Sequence, residues 1–217
     1  NPRVWGWDEM SEIAEILERA RHRRWECLPE PDGFAILAAL GLTPPAALEF
    51  EHPDDLAPEE LASLVGERVV LKAVCPDLSH KTEAGAVSIL PRQIEAIRAA
   101  ARKMVSDLAE RSLQGFLLQE WIDYDQDVGG ALMVSLRWDR EFGPVLTCGP
   151  GGLQAEILGQ DLKADRGLCL VSPRVDRGSS LNSALAATTA VKLMTTSHRQ
   201  RPPRLPCETL VGTHRAL

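Results

Sequence analysis

Lys72 stands within the apolar run Val69, Val70, Leu71, Ala73 and Val74. An ammonium held on such a strand must either reach water along its own methylene stem or meet an anion. A phosphate would serve, because a strand lysine can address nucleotide phosphates as a compact point charge; a strand-face lysine that simply reaches water is the plain alternative. The loop that follows, Pro76 to Gly85, carries His80 among Asp77, Ser79, Lys81, Thr82 and Glu83. Imidazole titrates near neutral pH, is nucleophilic at either ring nitrogen and can ferry a phosphoryl group, although a lone loop histidine is usually only solvated. The cluster Gly149-Pro150-Gly151-Gly152 can turn successive backbone N–H groups toward a phosphate, or be a tight turn and nothing more. It fits neither the Walker pattern nor the dinucleotide pattern. Glu156 and Asp161 are hard oxygen ligands of the kind magnesium takes at the end of a nucleotide cleft, with a solvated strand face as the alternative.

These residues need elements to position them. Of 217 residues, 44% are hydrophobic and 25% charged, the usage of a folded globular chain. The 24 Lys and Arg against 31 Asp and Glu give a net charge of -7, which argues against nucleic acid as the principal partner. Five scattered cysteines form no Cys-x-x-Cys pair and are expected as reduced thiols of a cytoplasmic protein. No apolar run approaches the roughly 18 residues that cross a bilayer, so no membrane partner is expected. Asp123, Asp125 and Asp127 alternate as in a calcium loop, yet Val128 and Val134 occupy the positions where that loop needs glycine and glutamate. They are read as a solvated turn, and Arg199, Arg201 and Arg204, interleaved with prolines, as a solvated loop.

Apolar periodicity predicts helices over 8–24, 31–41 and 91–113, a short helix over 58–66, a strand over 69–74, strands over 116–122, 130–136 and 144–147, and helices over 180–197 and 205–217. Pro44 and Pro45 predict an extended connection. The texture changes near residue 114, so the expected organisation is a helical N-terminal extension (1–29), a first α+β lobe (30–113) and a second (114–217). Close strands with short links favour antiparallel pairing.

Three blocks, VVLKAVCPDLSHKTEAGAV (69–87), GFLLQEWI (115–122) and WDREFGPVLTCGPGGLQAEIL (138–158), together resemble the ATP-grasp module of NDP-forming (ADP-forming) acyl-CoA synthetases. GFAILAALGLTPP (33–45) is similar to that family's opening helix, and residues 199–217 to its closing segment. The resemblance implies an α+β ATP-grasp fold with two lobes, each offering an antiparallel sheet, around a nucleotide cleft. It implies that Lys72 contacts the phosphates of ATP or ADP and that Gln119, Glu120, Trp121 and Ile122 read the adenine. Gly151 and Gly152 join the nucleotide site, Glu156 and Asp161 lie on the Mg2+ side, and Gly85 lets the histidine loop swing. His80 would take a phosphoryl group from a phosphohistidine on a partner domain and pass it to ADP, or the reverse. The chain shows no CoA-binding Rossmann fingerprint, so the CoA chemistry requires a CoA-binding subunit or further domains.

The function implied is acyl-CoA formation from a carboxylic acid, ATP and CoA. Where the family usually carries a glutamate at the start of the strand after the 118–122 linker, this chain has Ala131, and the stretch 159–170, with Asp161 and Arg166, departs from the family's usual turn. Two other readings therefore stay open: a regulatory nucleotide-binding module of a multidomain protein acyltransferase, and an interaction module that binds no nucleotide.

Overall fold

A computed structural model of the chain describes residues 7–25, 27–39, 42–78, 81–124, 130–152, 167–172, 179–197 and 202–204. The backbone divides into two compact units, one running to Ile122 and the other beginning at Asp123.

The first unit is organised by the lysine-bearing strand. Its elements are α1 (Trp7–Arg23), α2 (Glu30–Ala39), β1 (Ala47–Phe50), a 3-10 turn (Pro58–Ser63), β2 (Arg68–Val74), β3 (Val87–Pro91), α3 (Ile94–Asp107) and β4 (Gly115–Glu120). The strands form one antiparallel sheet in the order β1-β4-β2-β3. Strand alternation sends Val69, Leu71 and Ala73 to one face, where they are fully buried against Ile97, Ala101 and Met104 of α3. Those α3 residues recur at helical spacing, which is why the amphipathic pattern predicts this helix so clearly. Phe116 and Leu118 of β4 complete the core, and each such fully buried side chain contributes roughly 2 kcal/mol. Phe50 pairs with Phe116 across the β1–β4 ladder, the rings stacked with centroids 5.2 Å apart. α1 and α2 are tied by Arg19 and Asp32, whose guanidinium and carboxylate lie 2.5 Å apart.

The second unit contains β5 (Leu132–Asp139), β6 (Gly143–Pro150), β7 (Cys169–Val171), α4 (Ser179–Ala187) and α5 (Thr189–Thr195). Its three strands are antiparallel in the order β5-β6-β7. Leu146, Cys148, Cys169 and Val171 pack with Leu185 and Val191 from the helices into a separate core. The β5–β6 turn is closed by Asp139, whose carboxylate accepts the N–H groups of Glu141 and Phe142. Those two bonds hold the Asp139 carboxyl below its usual range.

Both sheets are antiparallel, as expected, but several boundaries differ. The division between units falls after Ile122 and not near residue 114, because β4 pairs on both sides within the first sheet. The four-residue strand β1 lies in the expected extended connection, and the expected helix over 91–113 yields its start to β3, since Val87 to Pro91 pair with β2. The helix expected over 180–197 is two helices interrupted at Thr188, and β7 pairs with β6 although nothing in its three residues announced it. The helix expected over 205–217 lies outside the described residues. No helix among the described residues is long and apolar enough to cross a membrane.

Two predictions follow from the packing. Gly115 has φ +146°, and a Cβ there would sit 2.8 Å from the Phe50 carbonyl oxygen. Gly115→Ala is expected to destabilise the chain by about 2 kcal/mol or more, read as a lowered urea midpoint; an unchanged midpoint would show that the β1–β4 ladder yields there. Cys148 and Cys169 are direct cross-strand partners, and burial, reinforced by Cys169, pushes the Cys148 thiol up to about 12. Its thiolate therefore forms only near that pH. At pH 8 a maleimide should label exposed Cys27 in the native chain and reach Cys148 only after unfolding; peptide mass spectrometry showing rapid native labelling of Cys148 would contradict the assignment.

Candidate functional site

The second face of the first sheet carries Lys72 and Gln119, two of the residues singled out in the sequence. Because Val69, Leu71 and Ala73 face α3, Val70 and Lys72 project the other way. Lys72 lies opposite Leu117, and Val70 opposite Gln119, so Lys72 and Gln119 share a face as diagonal neighbours. Glu120 stands on the opposite, α3 side of the strand. Its Oε1 accepts the Ala46 N–H at 3.0 Å, while its own N–H donates to the Ala46 carbonyl, so Glu120 closes the β1–β4 ladder. The sequence expectation grouped Glu120 with Gln119 at the adenine; the structure separates them and commits one carboxylate oxygen of Glu120 within the protein. Trp121 lies under the Arg68 guanidinium, 4.7 Å from its ring centroid, and Ile122 is half exposed.

Lys72 meets an anion, as its setting demands, and the anion belongs to the chain itself. Its Nζ donates to Glu30 Oε1 at 2.5 Å, and Lys81 Nζ donates to Glu30 Oε2 at 2.9 Å. One carboxylate thus bridges two ammonium groups, each through a different oxygen. All three side chains are largely but not fully covered, with relative exposures of 19% for Lys72, 22% for Lys81 and 30% for Glu30. Burial pushes the Glu30 carboxyl upward, but hydrogen bonds from Lys72 and then Lys81 outweigh it and hold the group below the usual glutamate range.

The bridge stands in the wall of a cavity of about 1290 Å³ within the first unit. The cavity lies between the segment that joins α1 to α2 and the segment that joins β2 to β3. Arg24, Lys72 and Lys81 line it as cations, and Glu30, Asp77 and Glu83 as anions. Cys75 also lines it, its thiol raised by burial and by Asp77. Gly85 closes the turn after Lys81 with φ +70°, a conformation that glycine adopts without strain, and its N–H donates to the Thr82 carbonyl. His80 lies outside the described residues; its chain neighbour Lys81 shares the Glu30 carboxylate with Lys72.

In the second unit, Gly151 and Gly152 follow β6 as expected. The Gly151 N–H, expected as a phosphate donor, already donates to the Ala131 carbonyl at 3.0 Å. A Cβ at Gly151 would lie 3.0 Å from the Leu132 carbonyl carbon, so any side chain there requires the neighbouring backbone to give by a few tenths of an ångström. Gly152 has φ +68° and supplies the following turn. Glu156 and Asp161 lie outside the described residues, and among the described residues no three His, Cys, Asp or Glu side chains converge on a metal-sized site.

The donor set fits a nucleotide. Two lysines and an arginine in one cavity suit a phosphate chain. Gln119 Oε1, on the Lys72 face, is buried with no hydrogen-bond partner among the described residues, and an acceptor of that kind suits the exocyclic amine of a base. Reasoning from the sequence missed Glu30 and Lys81. Lys81 lay inside the quoted loop, but nothing in the sequence links Glu30 to a lysine 42 positions away.

Comparison with known proteins agrees with this architecture. The chain is 27% identical over 155 residues to subunit beta of an ADP-forming acetate–CoA ligase I from Pyrococcus furiosus, covering 70% of this chain and 64% of that one. It is 28% identical over 158 residues to an ADP-forming acetate–CoA ligase from Methanocaldococcus jannaschii, covering 68% of this chain and 21% of that protein. The chain thus spans less than two thirds of the length of these relatives. Among solved structures, acetyl-coenzyme A synthetase 1 of Ca. Korarchaeum cryptofilum, in complex with coenzyme A and Ca-AMPCP, superposes with a TM-score of 0.68 at 21% identity, over 93% of this chain and 84% of that one. A second form of that protein, with coenzyme A and Mg-AMPPCP and its phosphohistidine segment pointing towards the nucleotide binding site, gives 0.61 at 20% identity over 94% and 84%. These likenesses carry the fold. The family profile of the ATP-grasp domain matches residues 19–205, a span that contains both sheets and the lysine cavity, and the chain belongs to the ATP-grasp family.

Proposed function

We propose that this chain is the nucleotide-binding component of an acyl-CoA synthetase that converts a carboxylic acid, ATP and CoA into acyl-CoA, ADP and phosphate. The observation that carries the reading is Lys72: an ammonium on the inner strand of the sheet, in a cavity, beside a second lysine and on the same face as a buried acceptor at Gln119. The ADP-forming acetate–CoA ligases among the relatives support the reaction class.

In this scheme Lys72 binds the phosphates of the nucleotide as a point charge and disperses the charge that gathers on them during transfer. Gln119, with the segment through Trp121 and Ile122, holds the base; Gly151 and Gly152 belong to the same proposal as nucleotide-binding residues, although the Gly151 N–H already donates to the Ala131 carbonyl. Magnesium, when bound, would neutralise charge between the phosphates, with Glu156 and Asp161 as its side chains. The His80 imidazole takes the terminal phosphoryl group of ATP, releasing ADP, and gives it up to a histidine imidazole of the partner domain, regenerating its own; the reverse sequence returns ATP. The complex with a phosphohistidine segment pointing towards a nucleotide site, seen in the Korarchaeum protein, supports a relay of this kind. CoA-binding domains, in a separate subunit or in a longer polypeptide, supply the thiol chemistry. A cytoplasmic setting belongs to the same proposal and suits the buried thiols Cys75 and Cys148.

A second reading, a regulatory nucleotide-binding module of a multidomain protein acyltransferase, is favoured by Ala131, which offers only a backbone carbonyl where the family carries a carboxylate. Formation of ADP that depends on both acid and CoA would reject it.

Two variants test the roles. Lys72→Ala is expected to weaken Mg-ATP binding by at least about tenfold in isothermal titration, the loss of one charge-assisted contact; unchanged affinity would remove Lys72 from the site. His80→Ala, reassembled with the CoA-binding domains, is expected to lose acyl-CoA synthesis by more than about a thousandfold while still binding Mg-ATP. Full synthesis by that variant would eliminate the relay.

A further inference from the structure

Among the described residues, Glu30 accepts a hydrogen bond from both lysines of the cavity, and neither the sequence motifs nor the proposed reaction assigns it a role. We propose that Glu30 is the positioning residue of the site, a carboxylate clasp that holds Lys72 and Lys81 as one fixed, phosphate-facing pair. This inference rests on the nucleotide reading above and deepens it.

The geometry carries the argument. Two ammonium groups brought into one part-buried wall repel each other unless an anion lies between them. Glu30 supplies that anion, taking Lys72 on Oε1 and Lys81 on Oε2. An ammonium has three donors, and Glu30 engages one from each lysine, so further donors on each remain for phosphate oxygens. One carboxylate against two ammoniums leaves these three groups with a single net positive charge, so two cations are not buried uncompensated; Arg24 adds one further positive charge to the cavity wall, and Asp77 and Glu83 add two negative ones. Two long side chains are also ordered before any ligand arrives, which lowers the entropic cost of binding.

Glu30 is itself held. It opens α2, and two residues later Asp32 ties that helix to Arg19 of α1. Lys72 comes from an inner strand and Lys81 from the segment leading into β3, so the clasp joins three elements at one point. Protein kinases use the same physical device, a helix glutamate that orients a strand lysine toward phosphates. The opposite role, a resident anion that competes with the phosphate, predicts the opposite effect of its removal.

The test compares the 217-residue chain with its Glu30→Gln and Glu30→Asp variants by two readouts. The first is Mg-ATP affinity. The second, in ligand-free protein, is the acylation rate of each lysine with an N-hydroxysuccinimide ester, followed by peptide mass spectrometry, with Lys103 as internal control. Glu30→Gln is expected to weaken Mg-ATP binding by at least about tenfold and to speed acylation of both Lys72 and Lys81 by about threefold or more, with Glu30→Asp restoring part of each. A merely structural role would lower the melting temperature and leave the lysine rates of the folded protein unchanged, which would overturn the inference. Equal or tighter binding by Glu30→Gln, or faster acylation at only one lysine, would overturn it as well. If the parent chain binds no Mg-ATP, the nucleotide reading falls, and the acylation rates alone decide the clasp: faster at both lysines upholds it, unchanged rates refute it. Should Glu30→Gln fail to fold, the same rates in Glu30→Asp decide.

Discussion

An ammonium group on an inner strand of a packed sheet must have water or an anion, and the first unit of this chain is arranged around that requirement. β2 is flanked by β3 and β4, so Lys72 has no sheet edge beside it along which to escape. One face of the strand is closed by α3 and filled by Val69, Leu71 and Ala73. The other face must therefore be polar at Lys72 while remaining covered enough to keep Val70 and Leu117 buried. A carboxylate brought in from α2 meets both conditions, since it satisfies the charge and lines the cavity at once.

The division of labour between the two faces explains which residues around β4 belong to the site. Alternation is strict, so Gln119 and Glu120, adjacent in sequence, must serve different surfaces. Gln119 joins Lys72, whereas Glu120 is drawn into the ladder with Ala46. In the second unit a comparable constraint acts on the glycines after β6. The approach of the 131–133 backbone crowds any side chain at Gly151 and uses its N–H, so that glycine serves the chain path before it is anything for a ligand.

Much of the fold was legible because its long elements repeat a single period. The α3 stripe at helical spacing and the β-branched run of β2 state their own type. The strands β1 and β7 were not legible, because segments of four and three residues carry too few positions to display an alternation, and each is a strand only through its partner. The boundary near residue 114 was misplaced for a related reason: β4 follows α3 through a change of texture, yet its pairing partners β1 and β2 precede it, and pairing across so many residues leaves no local mark. Lys72 could be picked out as a charge among apolar neighbours. Glu30 could not, because an acidic residue in the first turn of a helix is already accounted for by the helix dipole, and its contact with β2 is a product of tertiary packing.

The partial exposure of the Glu30 bridge bears on what it is for. A fully buried ion cluster must recover the whole hydration energy of its charges, and such clusters are often no more stable than apolar replacements. A fully exposed one is screened and holds its members loosely. The bridge here lies between those limits: its side chains retain between a fifth and a third of their exposure, and the lysine hydrogen bonds still outweigh burial in setting the Glu30 carboxyl. In that range the arrangement contributes little net stability while keeping a definite geometry. Open cavity on one side then lets other oxygens approach the ammonium donors that Glu30 does not use. Stability of the unit is supplied elsewhere, by the α3 face of the sheet, which leaves the lysine face free to be organised for charge.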